Sequence, residues 1–442
     1  MRIVVLGSGG REHALFLKLK ESDQTEKIYF APGNGGIDNE EKFDVDVMDF
    51  ASLEKNLRDR DIGLLVVGPE GPLAGGIKNH FAKEMPELLV FGPDANGAQL
   101  EASKTFSYTF MEEQSIPQAK SRVAENLESA LAILNEHPLP VVIKADGLAA
   151  GKGVSIHTDK TEAKEKLAEI FNENIFGDAG SSVLFQEFME GKEASLFAIC
   201  NGESAIYLPT ACDYKRAFDG QEGPNTGGMG SFSPGNILTE KMIAYVDTHI
   251  VQKVVNKFSY TGILYVGLMI HNTESKENSE NKTPLSVVEF NCRLGDPETQ
   301  SVMPMLETDL LPYILWACGK EKDVFRIKEN AEESKEENSY YTIPQKPGYT
   351  INVVLSAKGY PLAYEKNINL GLPEEMPEGL HIVHAGTKRN AEDLLSSGGR
   401  IMNIVGYDKD PGVARKKVYD FIETLKNTID FSKIHYRTDI GL

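Results

Sequence analysis

Three side chains that can bind a metal ion and phosphate stand at alternate positions late in the chain: Glu289, Asn291 and Arg293. The apolar Val287 and Val288 before them predict a β-strand, in which residues two apart point to the same face. A carboxylate and an amide oxygen suit Mg²⁺, which usually completes its shell with phosphate oxygens. The neighbouring guanidinium suits a transferring phosphoryl group or a carboxylate. We therefore predict a metal site at Glu289 and Asn291, with a polar edge strand and a salt bridge as the alternative.

A glycine-rich loop runs from Lys144 to Val154 between two apolar segments. The small residues around Lys152, including Gly151 and Gly153, would let the backbone wrap a polyphosphate while the ammonium group reaches it. Lys144 supplies a second cation at the end of a strand. Because Val154 and another strand follow, this is not the loop in which Gly-Lys-Ser/Thr opens a helix. We predict a flap over phosphate, and a merely flexible hairpin is the alternative.

A second glycine-rich turn follows the first predicted strand, at residues 7–10, and opens a helix. It is similar to a dinucleotide-binding turn, in which backbone N–H groups face an anion. A nicotinamide-binding unit should also carry an acid at the end of the second strand, but here that strand ends at Pro32-Gly-Asn. We therefore predict a site for a phosphorylated substrate, with polar contacts from Arg11 and Glu12. A simple tight turn is the alternative.

The first hundred residues alternate short apolar strands with helical stretches, and each strand ends at a Gly or Pro turn. Repeated βα units predict an open parallel sheet, whose ligands bind at the carboxyl ends of the strands. The predicted strands are Ile3–Leu6, Ile28–Ala31, Leu64–Val67 and Leu88–Phe91.

From about Glu101 onward the pattern becomes mixed, so we expect a multidomain fold of α/β and α+β type. Two charged stretches, 272–284 and 321–339, predict an exposed hairpin insertion and a linker. The predicted helices are Lys104–Glu113, Glu128–Asn135, Thr161–Phe171, Thr239–Phe258 and Pro411–Leu425. The predicted strands are Val141–Lys144, Val154–His157, Val183–Phe188, Ala194–Cys200, Ser204–Leu208, Gly262–Ile270, Leu285–Asn291, Tyr349–Ser356, His381–Ala385 and Ile401–Gly406.

The composition narrows the classes of function. The chain has 442 residues and a formal net charge of −20, so it should repel phosphate backbones and anionic lipids, and we expect no nucleic acid and no membrane as partners. Its apolar runs are too short to span a bilayer, and its start has the pattern of a strand and a turn rather than of a signal peptide. The four cysteines lack metal-type spacing, which predicts a reduced, cytoplasmic protein without disulfides.

Taken in order, these features resemble the ATP-grasp superfamily of carboxylate–amine ligases, and within it the family of glycinamide ribonucleotide synthetases, or phosphoribosylamine–glycine ligases. The resemblance runs from residue 9 to residue 441. The segments that carry it are Gly9-Gly-Arg-Glu-His-Ala, Ala31-Pro-Gly-Asn, Val67-Gly-Pro-Glu, Val142-Ile-Lys-Ala-Asp-Gly-Leu-Ala-Ala-Gly-Lys-Gly-Val, Gly223-Pro-Asn-Thr-Gly-Gly-Met-Gly, Glu289-Phe-Asn-Cys-Arg-Leu-Gly-Asp-Pro-Glu-Thr-Gln, His384-Ala-Gly-Thr and Arg437-Thr-Asp-Ile-Gly.

This resemblance implies an N-terminal Rossmann-like substrate domain with an open parallel sheet (1–101). An ATP-grasp core would follow, with a small lobe carrying the glycine-rich flap (102–190) and a large lobe carrying the metal site (191–320). A linker and a small C-terminal α/β domain would complete the chain (321–442). The implied reaction joins glycine to 5-phosphoribosylamine in purine biosynthesis, using ATP and Mg²⁺ or Mn²⁺ through a glycyl phosphate. The protein would be a monomer or a dimer.

The resemblance also implies roles for individual residues. ATP would be held by Lys104, Lys144, Gly151, Lys152, Gly153, Glu187, Phe188 and Glu193. The metal ion would be held by Glu289 and Asn291. The catalytic residues would be Arg293, Lys152 and Asp213, with Arg293 stabilising the acyl phosphate. The substrates would be held by Gly10, Arg11, Glu12, Asn34, Glu70, Asp213, Lys215, Arg216, Asn225, Thr226, Gly227, Gly228, Arg293 and Asp296.

One departure concerns the metal. Many ATP-grasp enzymes carry an acid on the strand before the Glu-x-Asn strand, whereas this chain has Gly267 at the comparable position. Glycine matches this particular family, but it leaves the full ligand set open. His13 and His384 lie in matching segments, and we interpret both as packing residues rather than catalytic bases.

Three other functions remain as alternatives. Another ATP-grasp ligase with a different acid or amine would share most of these motifs. A non-catalytic nucleotide sensor is disfavoured by the intact Glu289, Asn291 and lysines, and a nicotinamide-dependent dehydrogenase by the missing ribose acid.

Overall fold

In the computed structural model of this chain, the described residues are 1–149, 153–271, 285–321, 324, 340–373, 375–391 and 393–442. Gly151, Lys152, the predicted insertion 272–284 and most of the predicted linker lie outside them. Within the described ranges, no helix has both the length and the apolar character needed to cross a bilayer.

The N-terminal part confirms the predicted open parallel sheet. Its four strands are arranged in the order β2-β1-β3-β4. The first strand is buried on both faces along most of its length, as the continuous apolar run of a central parallel strand requires. The polar turns after the strands therefore meet at one edge of the sheet. The elements are β1 (Arg2–Gly7), α1 (Gly10–Lys20), β2 (Lys27–Pro32), α2 (Phe50–Asp59), β3 (Leu64–Val67), α3 (Glu70–Ala74), α4 (Ile77–Glu84), β4 (Leu89–Phe91) and α5 (Ala95–Ala102).

The next part is a small antiparallel sheet in the order β5-β8-β6-β7, packed against two helices. Its apolar residues form a core separate from the rest of the molecule, between residues 124 and 185. A lobe with its own core can move as one unit relative to its neighbours. The elements are α6 (Lys104–Glu113), β5 (Ser121–Ala124), α7 (Leu127–Glu136), β6 (Val141–Ala145), β7 (Val154–His157), α8 (Lys160–Phe171) and β8 (Val183–Glu187).

The third part is built on a five-stranded sheet in the order β16-β15-β9-β10-β17, of which β17 (Tyr341–Thr342) comes from later in the chain. Its core is continuous with that of the N-terminal sheet, so these two parts form one packed body. The helix predicted over 239–258 is present but is interrupted by a π-turn at Asp247–Val251. The elements are β9 (Lys192–Asn201), β10 (Ala205–Tyr207), β11 (Cys212–Asp213), β12 (Arg216–Phe218), β13 (Glu222–Asn225), β14 (Gly230–Ser233), α9 (Glu240–Val246), α10 (Gln252–Phe258), β15 (Thr261–Ile270), β16 (Leu285–Asn291), α11 (Glu298–Val302) and α12 (Leu311–Ala317).

The C-terminal sheet has the order β11-β14-β18-β22-β19, and β23 also pairs with β18. The strands at 212–213 and 230–233 thus belong to it, although the resemblance places them within the large lobe at 191–320. Short strands paired over a long sequence separation leave little periodic signal. The remaining elements are β17 (Tyr341–Thr342), β18 (Tyr349–Ala357), β19 (Leu380–His384), β20 (Thr387–Asn390), β21 (Asp393–Ser396), β22 (Arg400–Asp408), α13 (Pro411–Leu425) and β23 (Ile434–His435).

A buried histidine pair joins the first helix to this C-terminal sheet. The backbone N–H of His384 donates to His13 Nδ1 over 2.9 Å, and the two rings lie 5.5 Å apart. Burial lowers the pKa of His13 to about 3, with a further contribution from His384. Burial also lowers the pKa of His384 to about 4. The geometry supports the interpretation of both as packing residues.

We expect the stability of the protein to fall as the pH drops below about 6.5. Each folded-state pKa lies below the unfolded value, so this contribution is complete above pH 6.5 and is lost on acidification toward pH 4. The slope of the free energy of unfolding against pH should reach about 1.4 kcal/mol per pH unit for each histidine. Unfolding measured between pH 7 and pH 4.5 would test this. His13→Asn should flatten the slope, and the same substitution at the exposed His249 should leave it unchanged; equal slopes in all three proteins would contradict the assignment.

Candidate nucleotide and metal site

A cavity of about 370 Å³ lies where the small lobe faces β16 and the N- and C-terminal parts. Ten of the predicted site residues line it, namely Arg11, Glu70, Lys104, Lys144, Gly153, Gly227, Glu289, Asn291, Arg293 and Asp296. The cavity therefore brings together residues of the small lobe and residues of the predicted metal-binding strand. Apolar side chains from the small lobe, including Leu148 and Leu184, complete one wall.

The cations on the small-lobe side are fixed through backbone carbonyls. Lys144 ends β6 and donates to Val288 O over 3.1 Å. Lys104, at the start of α6, donates to Gly147 O over 3.1 Å. Burial lowers the pKa of Lys144 to about 8. Two ammonium groups, from β6 and from the start of α6, thus line the cavity.

A β-bulge explains why Lys144 finds a partner on β16. Glu289 pairs with Gly267 and Val287 pairs with Leu268, so Val288 has no opposite residue. A bulged residue loses its place in the ladder of hydrogen bonds, and the carbonyl of Val288 is the one that accepts from Lys144. A hydrogen bond therefore connects β16, which carries Glu289 and Asn291, directly to β6, which carries Lys144.

Glu289 and Asn291 follow this bulge and point into the cavity together. Burial alone would raise the pKa of Glu289, but the surrounding cations, led by Lys215 and Lys144, outweigh burial and lower it. The carboxylate is thus held ionised. Asn291 Nδ2 lies 3.4 Å from Glu289 Oε1. The amide of Asn291 can also be turned by half a revolution, which exchanges the positions of its nitrogen and oxygen. In this flipped orientation the nitrogen donates to Glu101 Oε1 (3.1 Å) and Phe290 O (3.2 Å), and the oxygen turns toward Glu289.

Glu289 and Asn291 can supply two oxygen ligands to a magnesium ion. Mg²⁺ prefers oxygen ligands and is commonly held by one or two protein groups together with phosphate oxygens. Among the described residues, no group of three or more His, Cys, Asp or Glu side chains could form a metal cage. Gly267, opposite Glu289, adds no ligand. The arrangement suits a cation that is shared with a bound polyphosphate.

Beyond β16, two arginines surround one carboxylate. Glu70 Oε2 lies 3.6 Å from Arg293 Nε and 3.8 Å from Arg11 Nη2. Burial would raise the pKa of Glu70, but these two guanidinium groups outweigh it and lower the pKa. The Nε atom of Arg293 is buried and makes no hydrogen bond within the described ranges. Arg293 also forms an ion pair of 2.8 Å with Glu101.

A small pocket next to the main cavity is lined by Glu193, Asp213 and Lys215, among others. Lys215 Nζ lies 2.8 Å from Glu193 Oε2. Burial raises the pKa of Asp213 well above its usual range, and the neighbouring Glu298 adds to the rise. Asp213 Oδ1 is buried and has no hydrogen-bond partner among the described residues. The pocket can therefore offer a carboxyl group to a small polar ligand.

The predicted substrate loop 225–228 closes this region. Thr226 Oγ1 donates to Lys215 O over 2.9 Å, and Gly227 N donates to the hydroxyl of Tyr360 over 3.0 Å. Gly228 has a φ of +108°, and a Cβ there would lie 2.2 Å from Pro297 and 2.7 Å from Asp213 Oδ1. Only glycine fits this turn.

Some predicted residues do not line the cavity. Glu12 accepts from Gly9 N over 2.9 Å and caps its own helix. A Cβ on Gly10 would contact Gln300 and Asn403, so this glycine permits close packing. Asn34 is buried and donates to Ser8 O and His384 O. Their assignment to substrate binding stays a prediction, and the structure shows each of them supporting the turn itself.

Other predicted residues lie at the rim. Glu187 and Phe188 are exposed at the end of β8, and the buried Gln186 lines the cavity in their place. Arg216 donates to Gly223 O over 2.7 Å within its hairpin, which also holds Asn225. Gly151 and Lys152, which are predicted to contact phosphate, lie outside the described residues.

Two charged residues that sequence patterns did not single out line the cavity, Glu101 and Arg400. Arg400 forms an ion pair of 3.0 Å with Asp296 and donates to Gly227 O over 2.5 Å. Glu101 is nearly buried in the last turn of α5. Neither belongs to a local motif that would mark it, although Glu101 stands only three positions before Lys104.

Comparison with protein families gives three matches in chain order. Residues 1–101 match the N domain of phosphoribosylglycinamide synthetase, residues 102–299 its ATP-grasp (A) domain and residues 350–442 its C domain. A phosphoribosylamine–glycine ligase of Leptospira interrogans is 42% identical over 450 residues, covering all of this chain and 98% of that protein. One from Caldanaerobacter subterraneus is 38% identical, covering all of this chain and 99% of that protein.

Solved structures give a consistent result. The crystal structure of a Thermotoga maritima phosphoribosylamine–glycine ligase is similar with a TM-score of 0.77 and 31% identity, covering 99% of this chain and all of that one. The biotin carboxylase domain of a Hydrogenobacter thermophilus 2-oxoglutarate carboxylase, in complex with MgADP and bicarbonate, has a TM-score of 0.69 at 17% identity, covering 98% of this chain and 91% of that one. The second likeness concerns the ATP-grasp fold alone.

Proposed function

This chain belongs to the phosphoribosylglycinamide synthetase family, and we propose that it joins glycine to 5-phosphoribosylamine at the expense of ATP. The products would be glycinamide ribonucleotide, ADP and phosphate, as a step of de novo purine biosynthesis. The observation that carries the proposal is the single cavity in which Lys104 and Lys144 face Glu289 and Asn291. Such a site can hold a polyphosphate between ammonium groups and metal-binding oxygens.

The chemistry would proceed in two transfers. An oxygen of the glycine carboxylate attacks the γ-phosphorus of ATP, and ADP leaves. The amine of phosphoribosylamine then attacks the carbonyl carbon of glycyl phosphate, and phosphate leaves with the electrons of the broken C–O bond while the new amide loses a proton. Phosphoryl transfer of this kind depends on positioning and charge neutralisation rather than on a protein nucleophile.

The residues of this chain divide that work. Lys104 and Lys144 would neutralise the phosphates of ATP, and apolar residues of the small lobe would cover its base. The Nε of Arg293, which makes no hydrogen bond to a described residue, would donate to the acyl phosphate. Glu289 and Asn291 would hold Mg²⁺ or Mn²⁺, and the bound ion would neutralise charge on the transferring phosphate.

The substrates would occupy two neighbouring places. Glycine would bind beside the small pocket at Asp213, close to the metal strand. Phosphoribosylamine would lie at the N-terminal turns, near Arg11 and Glu70. We further propose the domain limits 1–101, 102–190, 191–320 and 321–442, a cytoplasmic location, and a monomer or a dimer.

The proposal predicts that ADP release requires both substrates. With ATP and Mg²⁺ present, a coupled assay should register ADP only when glycine and freshly generated phosphoribosylamine are both added, because glycyl phosphate needs the amine to turn over. Omitting either substrate should reduce the rate to background. Equal turnover with another amino acid would indicate a different ATP-grasp ligase. Nucleotide binding without any turnover would indicate a sensor.

A further inference from the structure

Glu101 touches three successive residues at the end of the metal strand. Its side chain is only 7% exposed. Oε2 accepts the backbone N–H of Cys292 over 2.8 Å and its thiol over 3.1 Å. Oε1 lies 2.8 Å from Arg293 Nη2. The same Oε1 accepts the amide nitrogen of Asn291 over 3.1 Å in the flipped orientation of that side chain.

The orientation of the Asn291 amide decides what it offers to a metal. With its oxygen toward Glu101, that oxygen would face only acceptors, which is unfavourable. With its nitrogen toward Glu101, its oxygen occupies the place 3.4 Å from Glu289 Oε1. Two oxygens bound to one Mg²⁺ at neighbouring positions lie about 3 Å apart. The second orientation therefore presents two oxygens at a separation suited to one cation.

We propose that Glu101 is a positioning residue, which turns the oxygen of Asn291 toward the metal and at the same time fixes the guanidinium of Arg293. A single carboxylate thus orients a predicted metal ligand and a predicted catalytic cation. Partners that orient a metal ligand in this way commonly change metal affinity or activity by 10- to 100-fold when they are removed. The inference extends the proposed function, from which it takes only the identity of the metal–nucleotide ligand.

The asymmetry of an amide provides the test. Asn291 must be oriented because its two terminal atoms differ, whereas the two oxygens of an aspartate are equivalent. Glu101→Gln should raise the Mg²⁺ concentration that half-saturates ADP binding by about 10- to 100-fold in the parent background. In the Asn291→Asp background the same substitution should change it by less than about threefold. Calorimetric titration of ADP at a series of Mg²⁺ concentrations measures both, without turnover.

Equal factors in the two backgrounds would overturn the proposal, because a purely electrostatic effect of Glu101 does not depend on an amide at position 291. If Glu101→Gln does not fold, Glu101→Asp takes its place in the same comparison, since the shorter side chain draws the carboxylate away from Asn291. Asp247→Asn is the matched control for loss of a buried carboxylate, because Asp247 accepts from the hydroxyl of Tyr207 over 2.7 Å outside the cavity lining.

That control should lower the melting temperature and leave the Mg²⁺ dependence unchanged. A merely structural Glu101 would behave in the same way, and this result would also overturn the proposal. Failure of the proposed function is recognised separately, because the unsubstituted protein would then show no ADP release dependent on glycine and phosphoribosylamine.

Discussion

Glu289→Ala is expected to lower turnover by about 10²- to 10³-fold, because it removes the charged metal ligand of the site. The surrounding ammonium and guanidinium groups hold this carboxylate ionised. Without it, those cations face each other across the cavity, and Asn291 is left as the only predicted protein ligand. Raising the Mg²⁺ concentration should recover part of the loss, since the defect lies in metal affinity.

Steady-state kinetics at increasing Mg²⁺ would measure this effect. Glu289→Gln should be intermediate, because it keeps an oxygen and loses the charge. The control is Glu165→Ala, at an exposed position on α8, which should retain parental kinetics. Unchanged turnover in Glu289→Ala would show that the metal is held elsewhere.

Much of the fold follows from local patterns. The helices Lys104–Glu113 and Pro411–Leu425 and the strands Leu64–Val67, Val154–His157 and Leu285–Asn291 begin and end where the sequence predicts. Each is bounded by a cap, a proline or a glycine turn, so its limits are encoded within a few residues.

Elements that depend on distant partners carry no such signal. The strands at 212–213 and 230–233 are short and take their conformation from pairing with residues 349–357 and with each other. The π-turn at Asp247–Val251 interrupts a helical pattern that looks continuous in sequence. In both cases tertiary packing decides the conformation, as is common for short strands and for irregular helices.

In the candidate site, too, some features follow from local sequence and others depend on distant partners. The alternation of Glu289 and Asn291 on a strand can be read directly from their spacing, and the structure places both in one cavity with Lys144. The bulge at Val288 cannot be derived from spacing, because it depends on the partner strand. Glu101 and Arg400 are far in sequence from the metal strand, so their proximity to it emerges only from the packed arrangement.

Lys144 carries a positive charge at the cavity and also donates a hydrogen bond to the carbonyl of the bulged Val288. We expect Lys144→Ala to weaken ATP binding by about 10- to 100-fold and to lower turnover by a similar factor, since charge-assisted hydrogen bonds are lost in both the ground state and the transition state. The value of kcat/KM for ATP would then fall by roughly the product of the two. Nucleotide titration and steady-state kinetics measure them separately.

A lysine from the same lobe provides the control. Lys160 donates to Asn135 O over 2.7 Å and does not line the cavity. Lys160→Ala therefore removes a comparable hydrogen bond without removing charge from the site, and it should keep parental kinetics. Equal kinetics in Lys144→Ala and the parent would contradict the assignment of Lys144.

The pH dependence of nucleotide binding separates the charge of Lys144 from its packing. Burial lowers the pKa of Lys144 to about 8, so the free protein loses this positive charge as the pH rises through 8. Bound phosphate favours the protonated form, and binding above pH 8 must then take up a proton. ATP affinity should therefore decline between pH 8 and pH 9. Lys144→Arg should bind across this range without that decline, because a guanidinium stays protonated there, and Lys144→Ala should be weak at every pH. A decline that persists in the arginine variant would mean that another group controls the affinity.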